Sequence, residues 1–470
     1  MCGINLYIGD NSEVHVRRMN RGLDHRGIRS SVFTKDNFSI GHVRLPIQGI
    51  DPEWDHPYTR DGLTVAFVGE IFNYKGLNPS AESDIPVFHE LFLKRGSGLP
   101  LVVDGFYSAI MHYDQKIYIM LDELGKKPLY MKRDNDSLRV SSEILPLVEE
   151  GEPLDEFYFS SVAKWGYHIG EHTPFKWIQK VPPNSFLIID PKTFSITPGY
   201  AALPLFNKAK FLRGHIEEAV WNRLVSDIPI SLVLSGGLDS TIIYYLMKKH
   251  TTDFKVFHVE NNESEYLNDI DFKGIDLKIL ELDPNPHDAY FFNQTPVDIG
   301  SVQPQLALSA AIRTEGYRVA MSGDGADELF GGYKRITAYD SQQSDIFEEL
   351  VYYHLPRLDR LMMANTVELR CPFLSSDVLR SALLLPYEKR IHKNYLKEVF
   401  QDIVPKSIID RKKVPLRVEE MKKDKVQFRL DVIKYFREVI IDEYYRCARE
   451  EFRRTPRDFC KANRADVEVP

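Results

Sequence analysis

Cysteine is scarce in this chain: four in 470 residues, at Cys2, Cys371, Cys447 and Cys460, with neither CxxC pairs nor Cys/His ligand spacing. Neither a disulfide framework nor a structural zinc site is expected, and a reducing compartment fits. Long apolar runs are missing too. No stretch approaches the roughly 20 apolar residues that cross a bilayer, and the N-terminus lacks the charged and apolar regions of a secretion signal; no membrane partner and a cytoplasmic location are expected. Basic excess is absent as well. The formal net charge of -8 leaves no general footprint for nucleic acid. The densest basic stretch, Arg411 to Lys425, is interrupted by Glu419, Glu420 and Asp424 and reads as a solvated helix face.

What is present is an ordinary globular composition, 43% hydrophobic and 27% charged, in a chain long enough for two domains that each bury a core. Up to about residue 200, short β-rich runs alternate with turns: Ile4 to Ile8, Leu63 to Phe67, Lys116 to Leu121 and Leu138 to Ser141. A helix is predicted over Ser83 to Lys94, where Ile85, Val87, Phe88, Leu91 and Phe92 recur at helical spacing behind a Ser/Asp start. This half reads as an α+β sandwich with antiparallel sheets. After a helix over Arg213 to Leu224 the texture becomes parallel α/β. Strands are predicted at Ile228 to Leu234, Lys255 to Val259, Leu277 to Leu282 and Arg318 to Met321, with a helix over Thr241 to Lys249. The connection falls between Tyr200 and Lys210, giving domains 1–205 and 206–470.

Three segments carry chemistry. Cys2 follows the initiator, and trimming of Met before a small residue would put a thiol and a free α-amine on one residue. An amine of pKa about 7.7 to 8.0 accepts the thiol proton near neutrality, and the thiolate attacks a carboxamide carbon. A second-position cysteine also begins an ordinary buried strand, so this residue alone does not choose. The second segment, Ser235-Gly236-Gly237-Leu238-Asp239-Ser240, lies between an apolar run and a helix expected to begin at Ser240 or Thr241. Its glycines let the backbone approach an anion, and the helix start presents N–H groups and partial positive charge. Asp239 suits phosphates only with Mg2+ between them. The third, Ser322-Gly323-Asp324-Gly325-Ala326-Asp327-Glu328, packs three carboxylates into five positions, which favours a cation site.

Met-Cys-Gly-Ile at the terminus resembles the class II glutamine amidotransferases, and further matches follow in family order: His25-Arg26-Gly27, Gly41-His42-Val43-Arg44-Leu45-Pro46-Ile47, Gly69-Glu70-Ile71-Phe72-Asn73, Ser83-Asp84, Leu124-Gly125, Pro128-Leu129-Tyr130 and Ser141-Ser142-Glu143. The resemblance implies that Arg44 grips the glutamine α-carboxylate, that Gly69 and Glu70 line the glutamine pocket, and that Asp84 binds the α-ammonium. Two departures stand out. Ile28-Arg29 replaces Pro-Asp, and Val68 replaces an Asn whose side chain gives one of two oxyanion donors. Loss of one such donor costs about 100 to 1,000-fold in rate.

The glycine loop resembles the pyrophosphate loop of the ATP pyrophosphatases. Ser226-Asp227-Ile228-Pro229 and Ser322 through Tyr333 resemble segments of the asparagine synthetase family, as do Asp359-Arg360 through Leu374 and Arg411-Lys412-Lys413. The implied fold is an α+β N-terminal-nucleophile sandwich (αββα) followed by an α/β parallel-sheet ATP pyrophosphatase domain. The implied ATP contacts are Val233, Ser235, Gly236, Gly237, Asp239, Ser240, Val259, Ser322 and Gly323, with Asp239 and Asp327 on Mg2+. Asp324 and Lys413 are the implied catalytic acid and cation of acyl-adenylate formation. Glutamine, ATP and aspartate or another carboxylate are the implied small molecules, and a homodimer is left open. The segment from Val259 to Asp283 is shorter than usual for the family, so the acceptor carboxylate is the least specified partner.

Overall fold

The computed structural model describes residues 2–201, 211–260, 264–281, 285–297, 300–333, 346–411 and 425–452. Two six-stranded antiparallel sheets make up the first half. One runs, in spatial order, Ile178–Lys180, Tyr130–Arg133, Leu138–Ser141, Gly3–Ile8, Phe38–Arg44 and Arg29–Lys35. The other runs Ile196–Thr197, Phe186–Ile189, Lys116–Leu121, Gly105–Tyr113, Leu63–Ile71 and Tyr58–Arg60.

Strand Leu63–Ile71 shows why the sheets stack. Ala66 and Val68 join Ile4, Leu6, Ile40 and Ile110 between the sheets, whereas Val65, Phe67 and Ile71 face outward onto Ile85, Phe88 and Phe92 of helix Asp84–Arg95. A period of two with both faces apolar demands cover on both sides. Ser83 caps that helix by accepting from the Ile85 N–H at 3.3 Å. On the opposite outer face, helix Ser12–Arg21 lays Val16 and Met19 beside Tyr7. The expected αββα order follows.

The second half is built on a five-stranded parallel sheet ordered Asp276–Leu280, Lys255–Val259, Ile230–Val233, Val319–Met321, Glu368–Arg370. Alternate side chains separate into two cores: Ile230, Leu232, Val256, Val319 and Met321 pack one face, and Phe257, Leu280 and Ala320 the other. From the central strand the chain first adds neighbours on one side and then returns to add Val319–Met321 on the other. Such a reversal opens a crevice beyond the carboxyl ends of the strands, where open α/β sheets bind ligands. Several boundaries differ from expectation by one to four residues, and one of them bears on the site. The helix after the central strand spans Leu238–His250 rather than starting at Ser240 or Thr241, because Leu238 is buried in the core and the Thr241 N–H already bonds the Gly237 carbonyl at 3.0 Å.

A buried ionic bridge and a shared apolar cluster join the halves. Arg26 donates to Glu143 at 2.7 Å and to Asp359, on helix Leu355–Met363, at 2.8 Å; Lys127 reaches Asp359 at 2.7 Å. Burial alone would raise the Asp359 carboxyl, but Arg26 and Lys127 outweigh it and hold it at about 2. Unpaired, a buried charge costs several kcal/mol, so this bridge fixes the docking geometry. No helix among the described residues is long and apolar enough to cross a membrane.

Candidate active site

Cys2 immediately precedes strand Gly3–Ile8 and is buried between the sheets. Its Sγ lies 3.9 Å from the Leu45 carbonyl, and its own carbonyl accepts from Arg26 Nε at 3.0 Å. Burial raises the thiol pKa, Arg44 opposes that rise and Glu70 adds to it. The same charges link the rest of this cluster. Asp84 is pushed up to about 6 by burial against the influence of Arg44, and Glu70 is pushed well up by burial, Glu368 and Asp84. Cys2, Arg44, Glu70 and Asp84 thus form one neighbourhood, as the sequence suggests.

Arg44 ends its strand with the guanidinium turned inward, bonded to Asp55 and to the Gln48 and Gly49 carbonyls. Asp84 Oδ2 accepts from the Ile71 N–H at 2.9 Å, which orients the carboxylate at the helix start. Gly69 has φ +130°, and a Cβ there would lie 1.9 Å from the Phe106 carbonyl oxygen, so only glycine fits. Val68, beside it, is buried in the same cluster as Cys2 and offers no side-chain donor. Sequence reasoning missed Gln48, whose amide donates to Glu70; no motif marks it.

The two remaining segments meet at the crevice of the parallel sheet. A Cβ on Gly323 would lie 2.8 Å from both Asp239 Cβ and the Ser240 nitrogen, so the glycine loop and the acidic turn touch backbone to backbone. Gly236 takes φ +78°, a conformation glycine adopts freely. Ser240 Oγ accepts from the Ser235 N–H at 3.1 Å, closing the loop, and Gly237 precedes the helix in extended conformation. Ser322 Oγ donates to Asp324 Oδ2 at 2.6 Å; burial nevertheless raises that carboxyl, and Glu328 is pushed up to about 7 by burial and by Asp327.

Beside these turns opens a cavity of about 170 Å³. Val233, Val259, Leu308 and Met362 give it apolar walls, and Ser235, Ser322, Asp324 and Arg357 line its polar end. An apolar slot running into hydroxyls and a helix start suits a base joined to phosphates. Lys393, which sequence reasoning missed, donates to Asp239 and sits 2.5 Å from Asp327. Those two carboxylates keep it protonated in spite of burial. Lys413 lies outside the described residues. Asp239 and Asp327 present hard oxygen donors close enough to share one ammonium, a donor set that suits Mg2+ when phosphate oxygens and water complete it. Among the described residues no group of three His, Cys, Asp or Glu side chains forms a metal site unaided.

Both halves match known protein families. Residues 1–200 match the family model described as glutamine amidotransferase domain, and residues 212–350 and 337–458 match the one described as asparagine synthase. Asparagine synthetase [glutamine-hydrolyzing] of Brassica oleracea is 28% identical, covering 88% of this chain and 77% of its own length. Asparagine synthetase B [glutamine-hydrolyzing] of Escherichia coli is 27% identical over 84% of this chain and 77% of its own length. Amidase chry2 of Gibberella zeae is 25% identical over 73% of this chain and 61% of its own length. The chain belongs to the asparagine synthase family, with a glutamine amidotransferase domain ahead of the synthase domain.

Proposed function

We propose that the chain is a glutamine-dependent asparagine synthetase, with residues 1–205 releasing ammonia and residues 206–470 forming the amide. The observation that carries this reading is the contact between the glycine loop and the acidic turn at the edge of the cavity. A nucleotide whose base lies along Val233 and Val259 would bring its phosphate chain to Ser235–Ser240 and to Ser322–Asp327 together. Carboxylate oxygen is a poor leaving group and AMP a good one, so an acceptor carboxylate attacks the α-phosphorus, releasing pyrophosphate and leaving an acyl-adenylate. Ammonia then attacks the acyl carbon and AMP departs.

In this scheme the loop N–H groups, Ser235 and Ser240 cradle pyrophosphate, with Ser322 and Gly323 on the nucleotide. Asp324 acts beside the reacting carboxylate, and Lys393 and Lys413 neutralise charge that develops on the phosphates. Mg2+ accompanying ATP, held by Asp239 and Asp327, would add Lewis-acid neutralisation of the phosphate oxygens. In the first half, Cys2 attacks the glutamine carboxamide, ammonia leaves and water hydrolyses the resulting thioester to glutamate, while Arg44 holds the α-carboxylate and Glu70 and Asp84 hold the α-ammonium.

Val68 favours a second reading: the same ligase with feeble glutaminase, drawing on free ammonia. Mass analysis of products separates the two and tests both. With ATP, aspartate and either glutamine or ammonium, the first reading gives asparagine, AMP and pyrophosphate from both donors, and the second gives them from ammonium alone. Absence of any amide or AMP with a panel of carboxylates would remove both.

The glutamine pocket has an acid limb. Asp84, raised to about 6, is ionised above that pH and neutral below it. Protonation removes the charge that holds the α-ammonium. The KM for glutamine is expected to rise up to roughly ten-fold per unit as pH falls below about 6; a KM independent of pH from 5 to 7 would separate Asp84 from glutamine binding.

A further inference from the structure

A second cavity, between the halves and away from the nucleotide, has no role in the scheme above. We infer that it binds a small oxyanion, a carboxylate or phosphate group, between Lys180 and Arg360. It shares no lining residue with the nucleotide cavity and measures about 30 Å³, room for about two waters or one anionic head group.

Charge sets this cavity apart. Elsewhere in this protein buried cations are met by carboxylates: Arg26 by Glu143 and Asp359, Lys132 by Glu149 and Glu152, Arg223 by Asp104. Lys180 and Arg360 are as deeply buried, at 5% and 3% exposure, yet among the described residues no Asp or Glu lines their cavity. Lys180 Nζ donates to the Val351 carbonyl at 2.5 Å, and Arg360 donates to the Tyr130 hydroxyl at 2.7 Å and to Thr295 Oγ1 at 3.1 Å. These are neutral oxygens. Among the described residues, Arg360 Nε and both ring nitrogens of His168 have no hydrogen-bond partner. Two cations facing one buried cavity, with only Asp122 acting on Lys180 from outside its lining, are costly, and a buried donor without a partner adds about 1–3 kcal/mol. An oxyanion answers both, accepting from Lys180, Arg360 Nε and His168, with the Tyr158 phenol and Thr173 hydroxyl beside it. Burial, and then Arg360, depress Lys180 to about 7, with Asp122 opposing them. Entry is along the loop carrying His168, Gly170 and His172, the last with its ring 45% exposed.

The test is calorimetric titration of the full chain at pH 6.5, already saturated with a non-hydrolysable ATP analogue, against inorganic phosphate and separately against acetate. One saturable site for at least one of these anions is expected. Lys180→Met, which keeps the apolar stem and removes a poorly compensated charge, should weaken that binding at least ten-fold, the loss typical of one charged hydrogen bond, while leaving affinity for the ATP analogue unchanged. His168→Phe, at the mouth, should weaken it about three-fold or more and serves if the methionine variant does not fold. Failure of both anions to bind saturably, or undiminished binding in these variants, would overturn the assignment.

Discussion

Cys2→Ala is expected to reduce glutamine-dependent amide formation below detection while ammonium-dependent formation stays within about two-fold of the parent. The two outcomes separate because the thiol serves only to open the carboxamide, and the acidic turn that serves the acceptor lies in the other half of the molecule. The variant should fold: alanine fills most of the thiol's buried position, and the contact that ties this residue to Arg26 uses the Cys2 backbone carbonyl, which the substitution leaves in place. Equal loss with both nitrogen donors, or no loss with either, would refute the role of Cys2. The neighbouring position adds a gain-of-function counterpart. Val68 adjoins Gly69 and shares a buried cluster with Cys2 but has no donor to offer, so Val68→Asn is expected to add a second oxyanion contact and raise glutamine-dependent turnover about ten-fold or more. Ammonium-dependent turnover should not change.

Asp324→Asn is expected to lower aspartate-dependent AMP formation by about 100-fold or more, with nucleotide affinity changed less than about three-fold. The carboxyl is buried, accepts from Ser322 and lines the polar end of the nucleotide cavity, while its backbone sits in a turn that the amide does not disturb. Lys393→Met should act differently. Lys393 clamps Asp239 to Asp327, and its removal leaves two close carboxylates facing the phosphate chain, so nucleotide affinity should fall about ten-fold or more at low Mg2+ and recover in part as Mg2+ is raised. Separate measurement of ATP affinity and of AMP formation distinguishes the two variants; identical effects on both would contradict the division of roles.

Sequence reasoning reached furthest where function is written locally. The glycine loop, the acidic turn and the ordered motifs of the first half are short continuous segments, and strand periodicity such as that of Leu63–Ile71 follows directly from burial on two faces. Reasoning from sequence went astray at the start of helix Leu238–His250, because burial of Leu238 is a tertiary contact that no local propensity reports. It was blind to Lys393, whose partner Asp239 lies 154 positions away, and to Gln48, which meets Glu70 only because a loop after strand Phe38–Arg44 folds back under strand Leu63–Ile71. The Lys180–Arg360 cavity was hidden for the same reason: its walls come from both halves, and the motif residues among them, Tyr130 and Arg360, meet Lys180 only in the fold.

The account rests on a nucleotide whose phosphates lie between residues 235–240 and 322–327. Exchange of labelled pyrophosphate into ATP, measured without any nitrogen donor, tests this most directly. The account predicts exchange that requires aspartate or another acceptor carboxylate together with Mg2+, and that disappears in Asp324→Asn. Exchange that is indifferent to the carboxylate, or cleavage of ATP to ADP and phosphate, would contradict it.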